Sequence, residues 1–508
     1  MKKFKFLMIA MAVAMLAGFS SCNDDKIEGL DNGTDRIGDA YFSIQITVPN
    51  GDDSSLKGAE DSNIYETGTA AETAVQNVTL YLFDDATDLF VERIDLTTAD
   101  LAAAPPTYTS KRLPINAGDY KVVAVVNHGG AALPVAPVDV DGLLAATMLP
   151  TDYNSGLINP IPSTGLMMSS RTNVSGATSP YATLNVTTAN IISNPATFTI
   201  QVERSVAKLT IAPPDVTGDV TGINEYLVRA TEEDESTITI TDYHVVNLRN
   251  SGYMFRHTFD PVAPAIGYGS INNGGGDTNP FLYVWDPQSA NKTFVSNAIS
   301  ASASSWYLNH TSTVVAGDVA EGMPTATGFS LVGYCLENTM LKDAQRNGYS
   351  TGVIFKGNIV PTVVYEDDGL GDVTPVAPTG GVNLYHYGGR YYETLADLTT
   401  DPGTPFAAGS LDAFTAAQLA EFSIILYIGG DCYYTYWIKH EHSTNNMEVM
   451  EFAIVRNNVY NMRITGLSRP GSGDVVIDVD DPNESNDLYM QMELVVMPWI
   501  VRTNDIVF

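Results

Sequence analysis

Hydrophobic and polar residues alternate with a period of two over much of this chain, the mark of strands that bury one face. The clearest case lies in LYMQMELVVMPWIVRTNDIVF, residues 488–508. Leu488, Met490, Met492, Leu494 and Val496 fall on one side of an extended chain, and Tyr489, Gln491 and Glu493 on the other. The acidic, turn-rich stretch Asp478–Asp487 separates this strand from the body, so it is free to travel. Near the other end, AYFSIQITVPN repeats the design. Phe42, Ile44, Ile46 and Val48 point inward there, and Tyr41, Ser43, Gln45 and Thr47 outward. One removable strand and one exportable strand suggest subunits that polymerise by exchanging strands.

Between these ends the same signals recur. Strands are predicted over Asn77–Asp84, over Asp119–Asn127 behind the turn residues Asn116–Asp119, and over Ala196–Ile211, the last broken by Glu203 and Arg204. Others follow at Ser236–Asn247, Gly328–Leu336, Gly352–Tyr365, Phe422–Ile428, Tyr433–Lys439 and Phe452–Leu467, between loops rich in Gly, Asn, Asp and Pro. Short helices are predicted near Thr98–Ala103 and Asp141–Met148, and an amphipathic one over Leu411–Phe422. Many short strands with turn clusters predict an all-β chain of β-sandwiches. A length of 508 residues exceeds one core. The expected division is a leader at 1–21, a tether with the first strand at 22–57, sandwich domains at 58–204 and 205–477, and an acidic linker with the terminal strand at 478–508.

Charge narrows the partners. The 59 acidic and 26 basic residues give a net charge of −33, which excludes nucleic acid and anionic membrane surfaces as natural partners. Lys2, Lys3 and Lys5, the apolar run Leu7–Ala17 and then Phe19-Ser20-Ser21-Cys22 read as a secretory leader too short to span a bilayer. Small residues ending on Cys22 fit a bacterial lipobox, with the Cys22 thiol acylated; the alternative is an ordinary signal peptide. Any membrane tie would then be the lipid. Cys335 and Cys432 are the remaining cysteines, either one disulfide or two small buried residues.

No constellation for catalysis stands out, and no enzyme activity, cofactor or metal is expected. Gly348-Tyr349-Ser350-Thr351-Gly352 matches the serine-hydrolase string, but a polar loop precedes it and a strand follows, the reverse of what exposes that serine. His440 and His442 share one strand face without an obvious third ligand, and read as solvated residues at a strand end. Glu232–Glu235 and Asp478–Asp487 lack the spacing of a calcium loop. Tyr433, Tyr434, Tyr436 and Trp437 read as packing residues, or else as a glycan-stacking platform.

Four stretches carry a likeness. They are the lipobox followed by AYFSIQITVPN, VERSVAKLTI (Val202–Ile211), FAIVRNNVYNMRITGL (Phe452–Leu467) and MELVVMPWIVRTNDIVF (Met492–Phe508). Together they resemble the fimbrillins, the structural subunits of type V pili, in particular the short-fimbria branch. The resemblance implies a lipoprotein precursor at the outer membrane, later part of a cell-surface fimbrium, built from two transthyretin-like β-sandwich domains. It implies that an Arg- or Lys-specific surface protease removes the first strand (Phe42, Ile44, Ile46, Val48). The opened groove then accepts a neighbour's donor strand (Leu488, Met490, Met492, Leu494, Val496, with Trp499 closing the inserted part). The cut would fall after Lys57. Arg36 is the alternative, although cutting there leaves the groove filled. Implied partners are identical subunits in a homo-polymer and minor anchor and tip pilins. An anchor or tip subunit, or a glycan-binding surface lipoprotein, are the competing expectations.

Overall fold

The computed structural model describes residues 38–48, 66–105, 107–129, 133–148, 157–171, 181–229, 235–259, 283–440, 447, 450–484 and 489–500. The architecture is all-β, two packed-sheet bodies with a few short helices. The first body holds strands β1 (Ala40–Thr47), β3 (Asn77–Asp84), β4 (Phe90–Thr97), β5 (Leu101–Ala104), β6 (Thr107–Ser110), β7 (Leu113–Ile115), β8 (Gly118–Val126), β9 (Met168–Arg171), β10 (Ala182–Val186) and β11 (Ala196–Arg204). Two-residue β2 (Glu66–Thr67) belongs to the second body. The order in the first sheet is β4-β3-β8-β9-β11-β1-β6-β5, with β10 on β8 and β7 on β1. The sheet folds over one core, since Val78, Leu80 and Val122 pack in the same cluster as Phe42, Ile44, Leu184 and Ile200.

The second body is a sandwich. Its strands are β12 (Ala207–Ala212), β13 (Val220–Gly222), β14 (Glu225–Arg229), β15 (Glu235–Val246), β16 (Ser330–Cys335), β17 (Gly352–Pro361), β18 (Asp431–Trp437), β19 (Asn458–Leu467) and β20 (Met490–Ile500). One sheet runs β2-β20-β19-β12-β16 and the other β13-β14-β15-β17-β18. Ile211, Met462 and Leu494 from the first meet Tyr226, Ile238, Phe355 and Tyr434 from the second in one core. An insertion between β17 and β18 packs Tyr365, Tyr392, Leu398, Leu411, Leu419 and Ile424 into a small core of its own.

Several sequence expectations change in detail. The helix at Leu411–Phe422 contracts to Ala416–Glu421, started by Thr415, whose hydroxyl accepts from the Gln418 amide. Near Thr98 there is one 3₁₀ turn, Thr98–Asp100, and then a strand, because Leu101–Ala104 pairs with β6. Phe452–Val455 is not part of the strand that follows. Met450 and Asn457 take left-handed backbone conformations (φ 70° and 58°), so the chain turns there, and β19 begins only at Asn458.

Candidate assembly site

The first strand sits in the middle of its sheet. β1 runs parallel to β11, with Phe42 opposite Ala196 and Ile46 opposite Ile200. On its other side it runs antiparallel to β6 and β7, with Ile46 opposite Tyr108 and Phe42 opposite Leu113. Phe42, Ile44, Ile46 and Val48 are each 0% exposed, while Gln45 on the other face is exposed. Each such side chain is worth about 1.5–3 kcal/mol of gross burial. Polar contacts fix the register: Ser43 Oγ donates to the Ser110 carbonyl (2.9 Å), and the Ile44 amide donates to Ser110 Oγ (3.0 Å). At the entrance Gly38 lies so close to the Ile115 backbone that a Cβ would fall 2.4 Å from its nitrogen, so a side chain there would block the slot. Lifting β1 out would leave β11 on one side and β6 with β7 on the other, all without their ladder partner.

The last strand lies at the other extreme. β20 pairs antiparallel with β19 from Met490 opposite Leu467 to Pro498 opposite Asn458. Among the described residues, its other side meets only β2, at Glu66–Trp499 and Thr67–Ile500. Met490 and Leu494 are buried, Met492 and Val496 half-buried, and Gln491 and Glu493 exposed. The face expected to leave the molecule therefore packs in its own sandwich. Leu488, Cys22, Arg36 and Lys57 lie outside the described residues, and of Trp499 only the backbone is described.

A charged junction links the two bodies, and sequence reasoning missed it. Glu203 and Arg204, read as charges that break a strand, are 0% exposed. Arg204 donates from Nε to the Glu72 carbonyl (3.0 Å) and from Nη1 to Asn457 Oδ1 (3.3 Å). Glu72, in the helical turn Ala70–Thr73, accepts from the Tyr334 hydroxyl (2.6 Å) and pairs with Lys208 (3.0 Å), which also reaches Glu66 (3.7 Å). Burial opposes ionisation of Glu72, but Tyr334, the Thr69 amide and Lys208 outweigh it and hold its pKa below the usual value. Arg456 pairs with Glu337 (2.8 Å) and donates to the Met254 and Tyr253 carbonyls. Glu203 faces Arg256 and Arg171. The stretches around VERS and VRNN thus meet in space: the Asn457 amide also donates to the Val206 carbonyl (2.8 Å). Buried charges inside otherwise apolar strands were the available signal.

The remaining candidates resolve locally. Ser350 is fully buried and donates to Asn483 Oδ1 (2.6 Å). His440 is not solvated: it is 2% exposed, with Nδ1 bonded to the Tyr460 hydroxyl (2.8 Å), because the chain folds β19 over it. His442 lies outside the described residues. Tyr433, Tyr434, Tyr436 and Trp437 are all buried. Cys335 and Cys432 are buried free thiols, both pushed up to about 12 by burial. Glu235 pairs with Arg229 (2.5 Å), and Asp480 accepts from the Ile299 amide (2.7 Å). Among the described residues there is no His, Cys, Asp or Glu group suited to a metal, and no helix long and apolar enough to cross a membrane.

Two family models match the chain. "Fimbrillin-A associated anchor proteins Mfa1 and Mfa2" covers residues 41–284, and "Major fimbrial subunit protein type IV, Fimbrillin, C-terminal" covers residues 426–505. Both models describe fimbrial proteins, and over these two stretches the chain matches the fimbrillins. Fimbrillins are structural proteins of cell-surface fimbriae and not a family of enzymes. No curated protein sequence matches. Among solved structures, a fimbrilin (FimA) from Porphyromonas gingivalis W83 is 12% identical, with 92% of this chain and 99% of that chain covered and a TM-score of 0.42. The tip fimbrial protein Mfa3 from Porphyromonas gingivalis is 12% identical, with 90% and 100% covered and a TM-score of 0.34. A fimbrial assembly protein from Parabacteroides distasonis is 13% identical, with 66% and 98% covered and a TM-score of 0.26. At such identities and scores no residue role passes to this chain from those structures.

Proposed function

We propose that this chain is a shaft subunit that polymerises when a protease removes β1 and a neighbouring copy's C-terminal strand takes its place. The observation that supports this most is the position of β1. It is a short segment at the start of the described chain, yet it fills the centre of a sheet with both of its ladders made. A vacated slot would expose two unpaired strand edges and an apolar trough, which a donated strand would cover again. The precursor is exported as a lipoprotein through Cys22, and the cut follows Lys57, since cutting at Arg36 leaves β1 in place.

The donor is the terminal strand, with Leu488, Met490, Met492, Leu494, Val496 and Trp499. Among the described residues its single full-length partner is β19, so leaving home breaks one ladder. Because slot and donor are different surfaces, the contact runs head to tail and need not close into a ring. Partners are further copies of this chain, with anchor and tip pilins at the two ends.

A second reading is an anchor subunit in which β1 is never removed. The match of residues 41–284 to a model of anchor proteins favours it. The test is to treat the purified precursor with a Lys-specific protease and follow assembly by detergent-gel ladders and electron microscopy. Cleavage after Lys57 should start polymerisation, and truncation before Val501 or before Leu488 should stop it. Polymerisation by both truncated chains would reject the shaft reading. A native N-terminus upstream of β1 in isolated fimbriae would support the anchor.

A further inference from the structure

Away from the assembly surfaces, the second body hides a cluster that nothing in its structural role requires to be so polar. Asp286, Lys292 and Asn338 are each 0% exposed, and so is nearly all of Arg249 beside them. Lys292 Nζ lies 2.5 Å from Asp286 Oδ2 and 2.7 Å from Asn338 Oδ1, and also donates to the Thr339 carbonyl (2.7 Å). Arg249 stands 3.5 Å from the other Asp286 oxygen. One carboxylate therefore faces two buried bases. A guanidinium does not give up its proton in a protein, so the lysine is the base that goes neutral. Burial drives the Lys292 ammonium down to about 7 against the pull of Asp286, with Arg249 adding to the push.

The amide opposite is held for attack. Asn338 Nδ2 donates to the Tyr349 carbonyl (2.8 Å) and to Thr351 Oγ1 (2.9 Å), so the side chain cannot flip and its oxygen faces the lysine. The Tyr307 hydroxyl stands 3.5 Å from the same oxygen. Burial raises its pKa well above the usual range, so it keeps its proton and can donate it. The Asn338 backbone is pinned on both sides, its amide to the Ile454 carbonyl (2.9 Å) and its carbonyl to the Ile454 amide (2.8 Å). A nucleophile, a carbonyl fixed within contact of it and a carboxylate touching the nucleophile make the arrangement of an acyl transfer.

We propose that Lys292 and Asn338 become joined by an amide bond between their side chains, with release of ammonia. Neutral Lys292 Nζ attacks Asn338 Cγ, and charge builds on Oδ1 opposite the Tyr307 hydroxyl. The Asp286 carboxylate takes a proton from the attacking nitrogen and passes it to Nδ2. The Nζ–Cγ bond forms, the Cγ–Nδ2 bond breaks, and ammonia leaves. No oxidant or cofactor takes part. Loss of ammonia from a site closed to water makes the bond permanent, and it ties Thr339 and the end of β16 to the segment that precedes Lys292.

The intact mass of the purified wild-type chain tests this directly. The expected mass is one ammonia below that of the sequence, with a branched Lys292–Asn338 peptide in the digest. Asp286→Asn and Lys292→Met should each restore the full mass. Full mass in the wild-type chain, loss of water instead of ammonia, or an ammonia loss that maps to another residue would each overturn the proposal. Neither the processing site nor the donor strand enters this measurement, so its outcome is independent of how the fimbria assembles.

Discussion

β1 and β20 are built from the same alternating pattern but held in opposite ways. β1 has neighbours on both sides and an inner face that is completely buried. Among the described residues, β20 has one full neighbour, a two-residue cap, and an inner face buried only at alternate positions. Pattern alone says that a strand buries a face. Place in the sheet decides how firmly it is held.

Substitutions should separate the two. In the uncut chain, Ile44→Ala or Ile46→Ala should each cost about 2–5 kcal/mol in denaturant unfolding, because a closed central slot cannot collapse around the cavity. Leu494→Ala should fall near the bottom of that range, about 2 kcal/mol, and Met492→Ala at about 1 kcal/mol, since an edge strand can settle. Equal losses in the two strands would erase the contrast. Hydrogen exchange sharpens it without mutation: amides of β1 should open only with global unfolding, whereas those of β20 should exchange by a local path.

Acid should act through the junction. Glu72 has its folded pKa below the ordinary 4.5. Its stabilisation is therefore complete above 4.5 and fades as pH falls through and below that value. Glu72→Gln should flatten the stability profile below pH ~5 and leave its alkaline side unchanged. The smallest effect is expected from Glu493→Gln, which removes an exposed 3.7 Å pairing with Arg463 and should change stability by less than about 0.5 kcal/mol.

Much of this was legible in the chain. The inward sets Phe42, Ile44, Ile46, Val48 and Met490, Met492, Leu494, Val496 follow from alternation, since period two is a local property. What alternation cannot carry is the identity of a partner. Nothing local says that β20 lies on β19, or that β1 runs parallel to a strand some 150 residues later. Glu203 and Arg204 do mark the end of one strand, but their burial was not legible for the same reason: their distant partners, Arg256 and Glu72, are brought to them only by the fold. His440 was misread likewise, because Tyr460 is what covers it.

The direction of β1 has a further consequence. Any strand that restores its ladders must run alongside β11 and against β6 and β7, and so can enter in one sense only. A fibre assembled through that slot gives every copy the same heading. Its two extremities are then chemically unlike, one offering a vacant cleft and the other an unspent tail, and each calls for a different kind of cap.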